Sequence, residues 1–189
     1  MGQAGRPHIL GIDDGPFEKS ASREVAVVGV VMEGADLVEG VALTSFPVDG
    51  ADVTAFLADW VAGLRFRPAL QGIVLGGITI AGLAVVDMVL LSQRLGLPVL
   101  VVNRRDPSNQ RLNGALEAAG LADRRDVVER TPPAVEVESG LFLSYAGTER
   151  EAAAVMVRAT LRKSTLPEPL RLAHLIARAL VTGESRGRV

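Results

Sequence analysis

Two adjacent carboxylates, Asp13 and Asp14, close the apolar run in "HILGIDDGPF". One reading is a plain turn, since Asp caps turns and the following Gly15-Pro16 supplies their dihedrals. The other is half of a metal site. Carboxylates that converge at a strand end repel one another unless a hard divalent cation such as Mg²⁺ or Mn²⁺ bridges them. Further acids could join. Asp49 and Asp52 in "PVDGADVT" enter a helix, where acids also serve as caps and complement the macrodipole. Asp87 in "AVVDMVLL" is an acid within a strongly apolar stretch, where a solvent-facing position is the alternative. His174 falls among Leu172, Leu175 and Ile176, as a structural residue, a ligand or a hydrogen-bond donor.

Phosphate contacts have their own candidates. "GGITIAG" holds Gly77 and Gly82 at the spacing of a phosphate-cradling loop, but Leu83 and Ala84 stand where such a loop needs Lys and Ser or Thr. That argues against a nucleoside triphosphatase. Gly76 and Gly77 remain candidates for anion contact before the following helix, or permit a close strand-to-helix turn. Arg104 follows the buried-strand segment "PVLVVN", at the end where open α/β sheets place their ligands. It holds a phosphate there or is merely solvated.

The chain must bury enough surface to hold such groups in place. Its 189 residues are 48% hydrophobic, which suits one substantial core and a single domain spanning 1–189. The formal net charge of −2 gives no global basic field, so a nucleic-acid partner needs a local patch. With no cysteine, thiolate metal sites and a Cys nucleophile are excluded. The apolar region 73–91 is interrupted by Gly76, Gly77, Gly82 and Asp87, so it reads as strand and helix rather than a membrane span. The absence of a basic-then-apolar leader pattern makes a cytoplasmic location the expectation. The oligomeric state stays open, with a homodimer among the options.

Periodicity gives the elements. Apolar runs at 9–13, 24–33 and 37–46 read as strands, the last two joined by a tight hairpin at Gly34-Ala35-Asp36. Val53, Phe56, Leu57, Trp60, Val61 and Leu64 are spaced as one helical face. Strands at 71–75 and 98–103 then alternate with helices at 81–95 and 109–119, the latter closed by Gly120. A late strand is expected at 141–145. Thr148-Glu-Arg-Glu151 reads as a capping box opening a helix to Arg162, and a last helix spans 170–181. A meander, then alternating units, then terminal helices is the order of an α/β, ribonuclease H-like fold with a mixed sheet.

"LPEPLRLAH", residues 166–174, resembles the endonuclease V pattern Leu-Pro-Glu-Pro-x-Arg-x-Ala-Asp, with His174 in place of the final acid. "GIDD" is similar to that family's first-strand Gly-x-Asp. "DVTAFLADW" resembles its Glu-x-Pro-Ala-Leu-Leu-Ala-x-Trp helix, and "PVLVVNR" its Pro-x-Ile-Gly-Val-Ala-Lys strand. The family's Val-Asp-Gly is here Leu75-Gly76-Gly77, without the second metal-binding acid. The set "GIDDGPF", "VDGAD", "GGITIAGLAVVD" and "PEPLRLAHLI" with "GESRGR" is closer still to the endonuclease dU family. That family reads Gly-Phe-Asn-Val-Val-Asp where this chain has Gly82-Leu83-Ala84-Val85-Val86-Asp87.

The resemblance implies metal-dependent nicking of DNA that carries deoxyuridine or another deaminated base. It assigns Asp13 and Asp52 to Mg²⁺ or Mn²⁺, with Asp87, and Asp14 or Asp49 as further candidates. Arg104 stands at the family's lysine and would neutralise a phosphate. His174 would ligate or assist the departing oxygen, and with Gly76 lacking a carboxylate one metal is expected rather than two. A damaged base would leave the stack for a pocket expected near Phe17 or Phe46. The rival expectation is a binding or regulatory protein that kept the fold without the metal chemistry.

Overall fold

The computed structural model describes residues 6–18, 23–105, 107, 109–162 and 165–185. Its first three strands, β1 (His8–Asp14), β2 (Glu24–Glu33) and β3 (Leu37–Pro47), form the expected antiparallel meander. β1 also pairs in parallel with β4 (Gly72–Leu75), which pairs in parallel with β7 (Val99–Asn103). Two further strands, β8 (Val135–Glu138) and β9 (Leu141–Ala146), complete a seven-stranded mixed sheet in the order β3-β2-β1-β4-β7-β9-β8. The carboxyl ends of β1, β4 and β7 therefore meet at one edge, where parallel strands present ligand sites.

Helices cover both faces. On one side α1 (Val53–Ala62) and α2 (Met88–Leu95) bury Leu57, Val61, Met88 and Leu91 against Leu10, Ile12, Ile73, Leu75 and Val101. On the other, α5 (Arg150–Ala159) and α6 (Glu168–Thr182) bring Ala153, Val157 and Leu170 onto Ile9, Val74, Leu100 and Val102. Ala173 and Ala177 of α6 continue that layer over Val28 and Val30 of β2. Alternate residues of each central strand thus serve opposite layers, as a pleat demands. Both faces being covered explains why β2 is a nearly unbroken run of valines rather than an alternating pattern.

The sequence reading differs from the structure in four places, one of them β8, a strand it did not contain. The expected helix over 81–95 is a hairpin followed by a helix. β5 (Thr79–Ile80) and β6 (Ala84–Val85) pair antiparallel, and only 88–95 is helical. Ala81 and Gly82 turn the hairpin with φ of 51° and 95°. Apolar composition alone does not separate so short a hairpin from a helix. The glycine-rich segment consequently does not run from a strand directly into a helix.

The expected capping box also fails: α5 begins at Arg150, and its N-cap Glu149 makes no side-chain capping bond. Finally, α3 (Asn109–Ala118) is followed by a helix that periodicity did not reveal, α4 (Arg125–Arg130). The end of the "GESRGR" segment, 186–188, lies outside the described residues.

Candidate active site

Asp13 and His174 meet across 161 positions of sequence: the imidazole Nδ1 lies 2.7 Å from Asp13 Oδ2. Small residues make that approach possible. Gly11 and Asp13 share one face of β1, because alternate residues do, and Gly15 follows just past its end. A Cβ on Gly11 would stand 2.3 Å from the backbone of Pro169 and Leu170, and one on Gly15 would stand 3.0 Å from Ala177 O. The start of α6 and its third turn therefore rest on bare backbone on either side of Asp13. Ala173 and Ala177, four apart and fully buried, give the same clearance from the helix side. His174, adjacent to that stripe, comes down on the carboxylate.

Burial pushes the Asp13 carboxyl above its ordinary value, while the hydrogen bond and charge of His174 pull it back. Its neighbour points the other way. Asp14 Oδ2 accepts the Ala81 N–H at 2.9 Å, on the side of α1 and α2. Burial, and then repulsion from Asp13, raise its pKa to about 6. Both carboxyls are partly desolvated, so each would gain from a cation nearby.

Asp13 and His174 line a cavity of about 410 Å³ together with Gly76, Asn103, Arg104 and Leu170. Gly76 follows β4, and Arg104 follows β7 with its side chain exposed. So Asp13, His174, Arg104 and Gly76, each expected at the site, are brought together at the sheet's carboxyl edge. Gly76 and Asn103 also line a second, larger cavity of about 550 Å³, which holds Gly77, Thr79, Val101, Arg111 and Ser144.

Asp52 and Asp87 are elsewhere. They line a third cavity, of about 300 Å³, with Arg94, Arg124 and Arg130, over α1 and α2. Asp13 is on the α6 side of the sheet. The expected ligand set of Asp13, Asp52 and Asp87 is therefore not one cluster, and among the described residues no three His, Asp or Glu side chains are grouped to hold a metal ion. Asp87 is instead the N-cap of α2, accepting from Leu90 N at 2.9 Å, and pairs with Arg130 at 3.0 Å. Asp52 precedes α1 in a left-handed conformation with φ of 57°, and its side chain caps nothing.

The remaining acid, Asp49, ties down the β5–β6 hairpin. Its Oδ1 accepts from Leu83 N at 2.6 Å, and its own N–H donates to Ala81 O at 2.9 Å. Arg124 clamps the same hairpin, donating to Leu83 O and Asp49 O, each at 2.7 Å. With Asp14 on Ala81, these bonds fix the segment that begins at Gly76-Gly77. Phe46 is buried against Phe56, ring centroids 4.8 Å apart, and Phe17 packs on the same core.

Asn103 went unread as a site residue, and Gly11 and Gly15 were read as motif and turn glycines, not as the clearance that seats α6. The glycines had a signal, their symmetric spacing about Asp13. Asn103 had none beyond its place at a strand end.

A model of the Endonuclease dU family matches residues 6–181. The chain belongs to the endonuclease dU family. It is 42% identical over 183 residues to a UPF0215 protein of Methanothermobacter thermautotrophicus, covering 95% of this chain and 90% of that one. A UPF0215 protein of Thermococcus gammatolerans is 43% identical, with 94% and 93% covered. Among solved structures, a protein of unknown function from Archaeoglobus fulgidus superposes with a TM-score of 0.86 at 34% identity, over 94% of this chain and 99% of that one.

Endonuclease V shares the fold of this endonuclease dU family member. The Streptomyces avermitilis enzyme gives a TM-score of 0.58 at 19% identity, covering 97% and 86%. Endonuclease V of Ciona intestinalis, in complex with a 24mer DNA containing an inosine followed by a ribo-adenosine, gives 0.54 at 15%, covering 88% and 82%. The fold is ribonuclease H-like, as the order of elements implied. Among the described residues no helix is long and apolar enough to cross a membrane.

Proposed function

We propose that this protein is a metal-dependent endonuclease that hydrolyses a phosphodiester in DNA carrying deoxyuridine or another deaminated base. The observation that carries the reading is the Asp13–His174 contact in an open cavity with Arg104 at the carboxyl edge of the parallel strands. Membership of the endonuclease dU family supports the same chemistry.

The donor set suits Mg²⁺ or Mn²⁺ held in part by its substrate. Such ions are commonly bound through one or two carboxylates with phosphate oxygens and water completing the shell. Asp13 is the carboxylate available, and its desolvation favours a cation beside it. A bound ion would polarise the phosphodiester and lower the pKa of an attacking water. The chain's own residues supply the rest. With Asp13 ionised, His174 Nδ1–H donates to it, which fixes the ring and leaves Nε2 as its basic nitrogen, able to take a proton from water or return one to the departing oxygen. Arg104 offers a planar, permanently charged fork to a phosphate and cannot itself move a proton.

The test is a nicking assay on a deoxyuridine oligonucleotide with Mg²⁺ or Mn²⁺, run beside Asp13→Ala. Cutting by the wild type and its loss in the variant are expected. No cutting with either metal, on damaged and undamaged DNA alike, sinks the enzyme reading, and cutting retained by Asp13→Ala sinks the site. One observation favours the rival, a nucleic-acid-binding protein without chemistry: among the described residues no three His, Asp or Glu side chains are grouped to hold a metal ion. That rival predicts binding without cutting.

A further inference from the structure

Two strands end the seven-stranded sheet, and their edges differ. β8 has four residues, and side chains take up its backbone: Arg158 donates to Val137 O at 3.1 Å and Arg150 to Glu136 O at 3.4 Å. Arginines so placed blunt that edge against another strand. β3 has eleven residues, and among the described residues no side chain plugs its backbone in this way. No residue from Gly40 to Pro47 is charged. A long, uncharged edge is one that proteins rarely leave without a partner.

One face of β3 is open as well. A bulge leaves Glu39 unpaired, so Val38, Val41 and Leu43 stand opposite Met32, Val30 and Val28 of β2. Cross-strand partners share a face of the sheet. Met32, Val30 and Val28 pack with Ala173 and Ala177 of α6, and Leu172 and Ile176 flank them. The cover stops there: Val38, Val41 and Leu43 are 45%, 45% and 56% exposed. On its other face β3 is closed, with Phe66 over Gly40 and Phe46 buried. An apolar stripe that begins in the core thus runs out to an open edge.

We infer that two copies of this chain pair through β3, antiparallel and edge to edge, about a two-fold axis that passes by Ala42 perpendicular to the sheet. Val41 of each copy then lies beside Leu43 of the other, so two apolar cross-strand pairs form and the backbone edge is satisfied. The uncharged strand brings no like charges together there, and a net charge of −2 per chain opposes association only weakly. The area is adequate. At about 3.4 Å per residue the strand is about 37 Å long, and with the flank of α6 the strip is about 20 Å deep, on the order of 700 Å² per copy against the roughly 800 Å² that a stable interface buries on each side. The axis keeps both α6 helices on one side and reverses the strands. The two Asp13 sites, each two strands in from β3, therefore open at opposite ends of the joined sheet and stay accessible. The pairing does not depend on the endonuclease reading.

The experiment is sedimentation of the full chain over a concentration series. At about 50 µM the wild type is expected at twice the mass of one chain. Val41→Glu and Leu43→Lys, each alone, should weaken the dimer by about a hundredfold, because each sets a charge against an apolar neighbour. An equimolar mixture of the two variants should restore it: the new acid of one copy faces the new base of the other, and the second pair keeps its native Leu43 and Val41. Both positions are about half exposed, so thermal melting should find each variant folded. A wild type that stays monomeric up to about 200 µM overturns the inference and leaves the stripe to a different protein. A dimer that survives both single variants overturns it too. So do variants that dissociate but fail to recombine in the mixture, since the pairing about Ala42 requires that they do.

Discussion

Asp13 and Asp14 differ by one position in sequence and by a whole face of the sheet in space. Asp13 faces an imidazole that lowers the cost of its charge; Asp14 faces a backbone amide and the repulsion of Asp13. Burial, and then that repulsion, therefore penalise the charged form of Asp14 in the metal-free protein. Its folded pKa of about 6 lies above the ordinary 3.8, so the folded state binds this proton more tightly than the unfolded chain. Stability then falls as pH rises from about 4 to about 6, and the loss is complete above that window. Asp14→Asn keeps an oxygen for the Ala81 N–H and removes the charge. In urea unfolding at about pH 7.5 it should be the more stable protein, by at most about 3 kcal/mol for a shift of this size. The gap should close at about pH 4. Equal stability of the two proteins at the higher pH would show that Asp14 is not strained by its charge.

At the scale of elements, the site depends on how closely α6 lies on β1. Substituting Gly11 by Ala puts a carbon into the backbone of Pro169 and Leu170, which cannot swing aside as a side chain can. Gly11→Ala should cost at least about 2 kcal/mol, and pull His174 off Asp13. Gly15→Ala, at 3.0 Å from Ala177 O and a flexible Val181 methyl, should cost less, and Gly77→Ala should fall within about 0.5 kcal/mol of wild type. Denaturant midpoints in any other order would mean that the helix is seated by something besides the bare strand. Much of this layer was legible in the sequence. Valine-rich runs with short links gave the meander, and the 3.6 period of Val53, Leu57 and Val61 gave α1. The β5–β6 hairpin was not legible, because strands of two residues carry no period. Nor was the pairing of Asp13 with His174 readable from spacing. It came from the resemblance of two distant motifs to one family.

Across the whole molecule, the sheet acts as a partition, and a motif gives no side of it. Asp52 and Asp87 were attached to Asp13 by order along the chain, but which face α1 and α2 cover is settled by packing, and they cover the face away from α6. The charge balance is equally global. With a net charge of −2, the affinity for DNA that the proposed function requires would come from a few local arginines, so log affinity against log salt should have a shallow slope that Arg104→Ala reduces by about 1. An unchanged slope would take Arg104 off the phosphate. The partition yields the sharper test. Asp13→Asn should lower the nicking rate by at least about a hundredfold, as loss of a group that stabilises the reacting centre does. Asp52→Asn should nick at the wild-type rate, since its side chain caps nothing and lies across the sheet. Asp87→Asn should also keep its rate while losing about 1 kcal/mol of stability, because it weakens the α2 cap and the Arg130 pair. Parallel losses of activity in all three variants would mean that the acids do converge when DNA binds, with the β5–β6 hairpin moving to bring them together.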